Sequence, residues 1–253
     1  HDFVRLYDGT RPKLYLFTER SLSLTVTSGK NYDVFLYDNS GTLALELSAA
    51  WTNDTTRADA LAWQSGVGWV KSGTATRLWL GTIRASGTNV TEDSWDRTDA
   101  PARAFVWNAY NRVRRAAYCH DSTDSWNYTT YTWRQARGSA NNQIEYVTGL
   151  AGVCVAATAC QTANNASAVS ILGAIGLDST SSPASRCDIA VQYSSTGITL
   201  TTPLVSTLKF NSALGYHYLT RLERSAATGT TTWYGDQGAA TDLKTSLSAV
   251  LEY

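Results

Sequence analysis

Apolar and polar residues alternate in short runs along most of the chain, and Ser, Thr, Asn, Asp or Gly breaks the runs every few residues. A period of two puts successive side chains on opposite faces of a strand, so each run predicts a half-buried β-strand. Residues 32–37, then Asp38, Asn39, Ser40 and Gly41, then residues 42–47, predict a β-hairpin, because Asp, Asn and Gly tolerate the backbone angles of a tight turn. Residues 20–26 and 76–83 alternate strictly and predict two more strands. Others are expected at 104–108, Arg114–His120, 144–150, 153–158, 169–176 and Gly215–Arg224. A final hairpin turns at 225–230 and leads into 231–235. Residues 55–63, rich in Ala and preceded by Asn53 or Asp54 as the cap, are the one predicted helical turn. Many closely spaced strands with hardly any amphipathic helix predict an all-β fold of the sandwich or jelly-roll class. Ser72, Gly73 and Thr74 interrupt two strand patterns, which divides the chain into a small β-module over 1–75 and a larger β-sandwich over 76–253. No repeat of fixed period is present.

Composition narrows the function. The chain has 253 residues, with 21 basic against 21 acidic, and charged residues make up only 17%. Zero net charge argues against a nucleic-acid binder held by phosphate neutralisation and against a polybasic membrane-surface protein. No apolar stretch approaches the roughly 20 residues of a membrane-spanning helix. Ser and Thr fill the charge deficit, leaving uncharged surface for packing against neighbours. Met is absent and the chain opens on His1, so a segment or a processed product is expected, without a readable targeting signal.

From about residue 79 the chain resembles virion proteins of tailed phages and marine viral metagenomes. The phrases that carry the likeness include Leu80-Gly81-Thr82-Ile83-Arg84, Phe105-Val106-Trp107-Asn108-Ala109-Tyr110-Asn111-Arg112-Val113 and Asp124-Ser125-Trp126-Asn127-Tyr128. Gly176-Leu177-Asp178-Ser179-Thr180 and Thr232-Trp233-Tyr234-Gly235-Asp236 continue it. Upstream, Tyr32-Asp33-Val34-Phe35 and Ala50-Trp51-Thr52-Asn53-Asp54-Thr55-Thr56-Arg57 look like the same family. These are structural phrases rather than catalytic signatures. The resemblance implies a non-enzymatic virion component of the fibre, spike or head-decoration kind on the particle surface, a homo-oligomer and by habit of such appendages a trimer. It would contact other virion proteins and take no cofactor.

The candidate chemistry is sparse. Cys119, Cys154, Cys160 and Cys187 lack the paired spacing of a zinc site. Cys154 and Cys160 suit a small hairpin closed by a disulfide, leaving Cys119 and Cys187 as a second pair; an extracellular particle favours disulfides, and the alternative is four buried thiols. His217, between Tyr216 and Tyr218, reads as a hydrogen-bonded structural histidine. Cys119 and His120 are sequence neighbours, so on a strand they face opposite ways and form no nucleophile–base pair. Glu92, Asp93, Asp96 and Asp99, with Asp121 and Asp124, are the carboxylates for a glycoside-cleaving pair, which needs two of them about 5 to 9.5 Å apart across a groove. No calcium-loop spacing accompanies them. The run Arg112 to Arg115 reads as a patch that pairs with acidic loops or a neighbouring subunit. Trp126, Tyr128, Tyr131 and Trp133 would share one face of a hairpin turning at Thr129 and Thr130, with Trp233 and Tyr234 on a second hairpin. Such rings stack on sugars, so a carbohydrate-binding module that docks on host glycan is the rival to a purely structural role, with a depolymerase behind it; core or interface packing is the structural alternative for the rings.

Overall fold

The computed structural model describes residues 2–194, 203–238 and 244–253; His1 lies outside them. Two sheets face each other across one core. The first runs Asp96–Thr98, Arg114–His120, Ser246–Glu252, Val153–Asn165, Pro203–Ser212, Cys187–Asp188, and Thr231–Tyr234 joins Ser125–Tyr128 to it. The second runs Ala190–Tyr193, Ser170–Leu177, Gly215–Arg224, Gln143–Thr148, Ala102–Ala104, Asp93–Ser94, with Arg134–Gln135 on Gly215–Arg224. Ile144 and Tyr146 from the second sheet meet Val155, Leu208, Leu247 and Leu251 from the first. The described chain is therefore an all-β sandwich, and among its residues no helix is long and apolar enough to cross a membrane.

A third sheet contains Thr42–Leu47, Asn31–Asn39, Thr74–Gly87, Gly68–Lys71 and Leu61–Gln64, and Val106–Asn108 pairs with its long central strand. Its Phe35, Trp79 and Trp107 belong to the same core as the sandwich. The expected line between 1–75 and 76–253 falls inside Thr74–Gly87, a strand paired with Asn31–Asn39 and Gly68–Lys71 before the line and with Val106–Asn108 after it. The small module is thus not closed at residue 75. An N-terminal hairpin, Asp2–Tyr7 with Pro12–Phe17, lies on this sheet through Leu6, Leu36 and Leu78.

Local chemistry explains most of the strands. The hairpin over 31–47 turns at Ser40 and Gly41, both left-handed at φ 54° and 94°, and Asp38 accepts a hydrogen bond from the Gly41 N–H at 2.7 Å. Arg114–His120 and Gly215–Arg224 are strands over the expected residues. Elsewhere tertiary context decides. In 20–26 the alternation is real, with Val26 buried, but no ladder forms: the Asn89 side chain takes the Val26 N–H and the Tyr32 hydroxyl the Thr27 N–H. The predicted helix over 55–63 is a turn followed by the strand Leu61–Gln64. Asn53 Oδ1 accepts from the Thr55 N–H at 2.9 Å, the local side-chain bond that competes with helix formation. Residues 104–108 split at Phe105, with Ala102–Ala104 in the second sheet and Val106–Asn108 in the third. Residues 225–230 carry the chain from one sandwich sheet to the other, so the expected last hairpin is a crossover.

Candidate functional site

The aromatic stretch does not form a hairpin. Ser125–Tyr128 pairs with Thr231–Tyr234, placing Trp126 opposite Trp233, whereas Arg134–Gln135 pairs with Glu223 and Leu222 in the other sheet. Residues between them bridge the two sheets at the edge of the sandwich, so the four rings cannot share a hairpin face. An arginine covers each instead. The guanidinium carbon of Arg134 lies 3.7 Å from the Tyr128 ring centroid, that of Arg224 3.6 Å from Tyr131 and 5.8 Å from Trp133, and that of Arg221 6.0 Å from Trp126. Such cation–π contacts occupy the ring faces a sugar would use. Trp233 is only 1% exposed, packed with Ala163, Ile171 and Leu204, and is removed from the binding set. Tyr234 is half-buried and accepts a hydrogen bond from Asn164 at 2.6 Å. Tyr131, at 56% exposed, is the most open of the six.

Behind the rings lies a buried polar cluster that the sequence did not single out. Glu223 has no exposed side chain; it is paired with Arg134 at 2.6 Å and accepts from Trp126 Nε1 at 2.8 Å and the Arg137 N–H at 3.2 Å. Burial pushes its pKa up, against the opposing charge of Arg134. Arg221 is equally buried and donates to Asn142, which donates to Asp121, which is paired with Arg137 at 3.2 Å. The Nε and Nη1 groups of Arg221 have no partner among the described residues. Cys119 lies in the same interior, and burial lifts its thiol to about 12, so it stays protonated at neutral pH.

The acidic candidates act as clamps. Glu92 is paired with Arg103 at 2.6 Å and Arg97 at 3.4 Å. Burial opposes its ionisation, but hydrogen bonds from Arg103 and Ser94 with both positive charges outweigh that and hold its pKa low. Asp93 accepts from Trp95 at 2.9 Å and is paired with Arg115 at 3.3 Å, while burial raises its pKa. Asp99 takes the Ser122 N–H and hydroxyl, Asp124 takes the Gly238 N–H, and Asp96 is exposed. Arg115 thus pairs with an acidic loop as expected of the basic run, and Arg112 lies over Trp107. His217 bonds Asp178 at 2.8 Å and His120 bonds the Thr245 carbonyl at 3.2 Å. Among the described residues no group of three or more His, Cys, Asp or Glu is arranged to hold a metal ion.

The expected disulfides are corrected. All four cysteines are free. Cys154 and Cys160 lie on one continuous strand, six residues or about 20 Å apart, and Cys119 and Cys187 are separated by four strand-to-strand steps, about 19 Å, both beyond disulfide reach. Cys187 Sγ accepts a hydrogen bond from the Ile175 N–H at 3.2 Å instead.

Two surfaces emerge only from the assembled sheets. On the outside of the larger sheet, cross-strand register aligns Ala116, Val250, Ala156 and Lys209 in one row and Tyr118, Ser248, Thr158 and Thr207 in the next. The other surface is a bowl of about 560 Å³ under residues 178–187, where the chain leaves the second sheet for the first.

No family model and no curated protein matches the chain. Among solved structures, Eiger TNF from S. frugiperda aligns with 56% of this chain and 93% of its own at 7% identity and a TM-score of 0.35. Dimeric latent PorU from Porphyromonas gingivalis aligns with 90% of this chain and 20% of its own at 8% identity and a TM-score of 0.36. Likenesses this distant bear on neither the fold nor the function.

Proposed function

We propose that the chain is a non-enzymatic structural protein of a tailed-phage virion, an exposed β-sandwich appendage that works as a homo-oligomer on the particle surface. The virion part rests on the sequence resemblance. The oligomer part rests on one observation, the outer face of the larger sheet. Small uncharged residues dominate its centre, Val205 is 51% and Val250 42% exposed, and its charged members are Lys209, Arg114 opposite Glu252, and at the edges Asp96, Asp188 and Lys244. Short side chains leave a sheet flat and its apolar groups uncovered, which favours packing against a second flat surface. Four strands at about 4.8 Å spacing over seven residues of about 3.4 Å present roughly 460 Å² of plane. The flanking strands extend it toward the ~800 Å² per partner of a standard interface. Near-neutral charge makes a second copy an unrepelled partner, and a trimer is the state the resemblance implies. Among the candidate carboxylates Glu92, Asp93 and Asp121 are held in ion pairs, which supports a non-enzymatic role.

Two measurements test the reading. Light scattering of the purified chain should give an oligomer, and Ala156→Glu should reduce it to monomer with little change in melting temperature; a monomeric wild-type protein overturns the oligomer. Electron microscopy of particles labelled with an antibody to this chain should place it on the capsid or the tail, and absence of label from every particle overturns the virion assignment.

A further inference from the structure

The bowl beneath residues 178–187 is built as a site. Its floor is apolar, from Leu177, Leu208 and half-buried Phe210, and its rim carries Arg186 and the hydroxyls of Ser182 and Ser185, with Asn211 at the margin. Among the described residues, the side chains of Arg186, Asn211, Ser182 and Ser185 make no hydrogen bond or ion pair. Arg57, Arg84, Arg103 and Arg134 are by contrast each locked to a carboxylate, while Arg186 shares its freedom with other exposed arginines such as Arg11 and Arg114.

The wall is fixed in place. Asp178 is left-handed at φ 52°, exchanges backbone hydrogen bonds with Tyr218 through its N–H at 2.9 Å and its carboxylate at 3.0 Å, and is held by His217. Ser179 Oγ accepts from the Ser181 and Ser182 N–H groups at 3.2 and 3.0 Å, its carbonyl accepts from Thr220 at 2.6 Å, and the Ala184 N–H returns to Ile175 at 2.9 Å. A methyl at Gly176 would collide with the Ser179 carbonyl and the Thr220 hydroxyl, so this close approach requires glycine. Polar groups unused by the fold, set on a rigid wall over an apolar floor, are what an orienting site for a small polar ligand needs.

We propose that this bowl binds an acidic sugar residue, a polyhydroxylated ring bearing a carboxylate. The planar guanidinium of Arg186 suits a carboxylate bidentately, the Ser182 and Ser185 hydroxyls suit ring hydroxyls as donors and acceptors, and Phe210 suits the apolar face of the ring. A volume of about 560 Å³ accommodates one or two such rings. The site belongs to each protomer, so it is tested separately from the oligomer and virion readings.

Titration calorimetry of the full chain with a four-unit glucuronic acid oligomer, the matching glucose oligomer and inorganic phosphate tests it. The acidic oligomer should bind in the millimolar range or tighter, with the neutral one and phosphate each weaker by about tenfold or more. Arg186→Ala should weaken binding of the acidic oligomer by about tenfold or more, with Arg186→Lys between it and wild type because an ammonium is not bidentate. Both variants alter an exposed side chain and should melt with wild type. Absence of acidic-oligomer binding, equal binding of the glucose oligomer, phosphate binding as tight as the sugar, or an unaffected Arg186→Ala each overturns the proposal.

Discussion

Asp33 and Glu223 are both carboxylates without exposed surface, and each receives a tryptophan N–H and an arginine, yet their surroundings differ in completeness. Asp33 accepts from Trp51 Nε1 at 3.0 Å, Trp79 Nε1 at 2.9 Å, Thr82 Oγ1 at 2.7 Å and Arg57 Nε at 3.0 Å. The Arg57 guanidinium lies between the Trp51 and Trp79 rings, 4.9 Å from each centroid, and reaches on to the Gly149 carbonyl. Burial pushes Asp33 up and Arg57 down, and their pairing with the added donors opposes both shifts. At the other end, Glu223 is well supplied but its neighbour Arg221 keeps two buried nitrogens without partners among the described residues. A satisfied buried network stabilises a specific arrangement, whereas an incompletely paired buried charge carries a desolvation cost with little return. The first cluster joins the third sheet to the sandwich; the second fills the edge where the aromatic segment crosses.

That contrast is open to direct attack. Asp33→Ala strands a buried guanidinium and two indole N–H groups and should cost about 3–5 kcal/mol, or roughly 10 °C in Tm for a chain of this size. A shift under about 2 °C by thermal circular dichroism would erase the special status of the joint. Gly149→Ala sharpens the same point without touching a charge. Its methyl would enter the Trp107 and Trp79 rings, which stack at 5.5 Å, and overpacking there should cost about 1–3 kcal/mol in urea unfolding. Arg221→Met should change stability by no more than about 1 kcal/mol in either direction, since it removes an imperfectly paired charge and keeps most of the volume. A loss matching that of Asp33→Ala would make the two clusters equivalent.

The smallest expected effect is in pH. The folded protein holds Glu92 below its ordinary 4.5, so the stabilisation it contributes is complete above that value and is lost as pH falls through the lowered one. Glu92→Gln should therefore flatten stability against pH on the acid side only; an unchanged acid limb would show that the Arg103 and Arg97 pairs contribute nothing to it.

The legible and illegible parts of this chain divide along sequence distance. The 31–47 hairpin could be read because turn and strands are contiguous, and Gly215–Arg224 because its β-branched and aromatic residues favour a strand wherever it lies. The segment 20–26 misled because alternation reports which side chains point inward, not whether another backbone stands alongside. The aromatic site failed for a related reason. Trp126 and Trp133 are close in sequence, but the strand that holds Trp126 and the one that begins just after Trp133 pair with partners about a hundred residues away in opposite sheets. Arg221 and Arg224, which cover ring faces, and Glu223, which accepts from the Trp126 indole, lie on a strand whose composition carried no sign of a polar interior. The phrases around Asp33, Trp51, Arg57 and Trp79 were noticed as a family likeness, and the structure gives them a physical cause in one shared hydrogen-bonded joint.

By itself the sequence determined the all-β class, the main strands, the near-neutral surface and the absence of any long apolar helix, because period-two patterning and composition act locally along the chain. Only the tertiary structure decided which strands share a sheet, that the two expected cysteine pairs lie too far apart to bond, and that Arg186 and Phe210 line one bowl. Those outcomes depend on register between distant strands, and register is settled when faces are buried together rather than by any one segment.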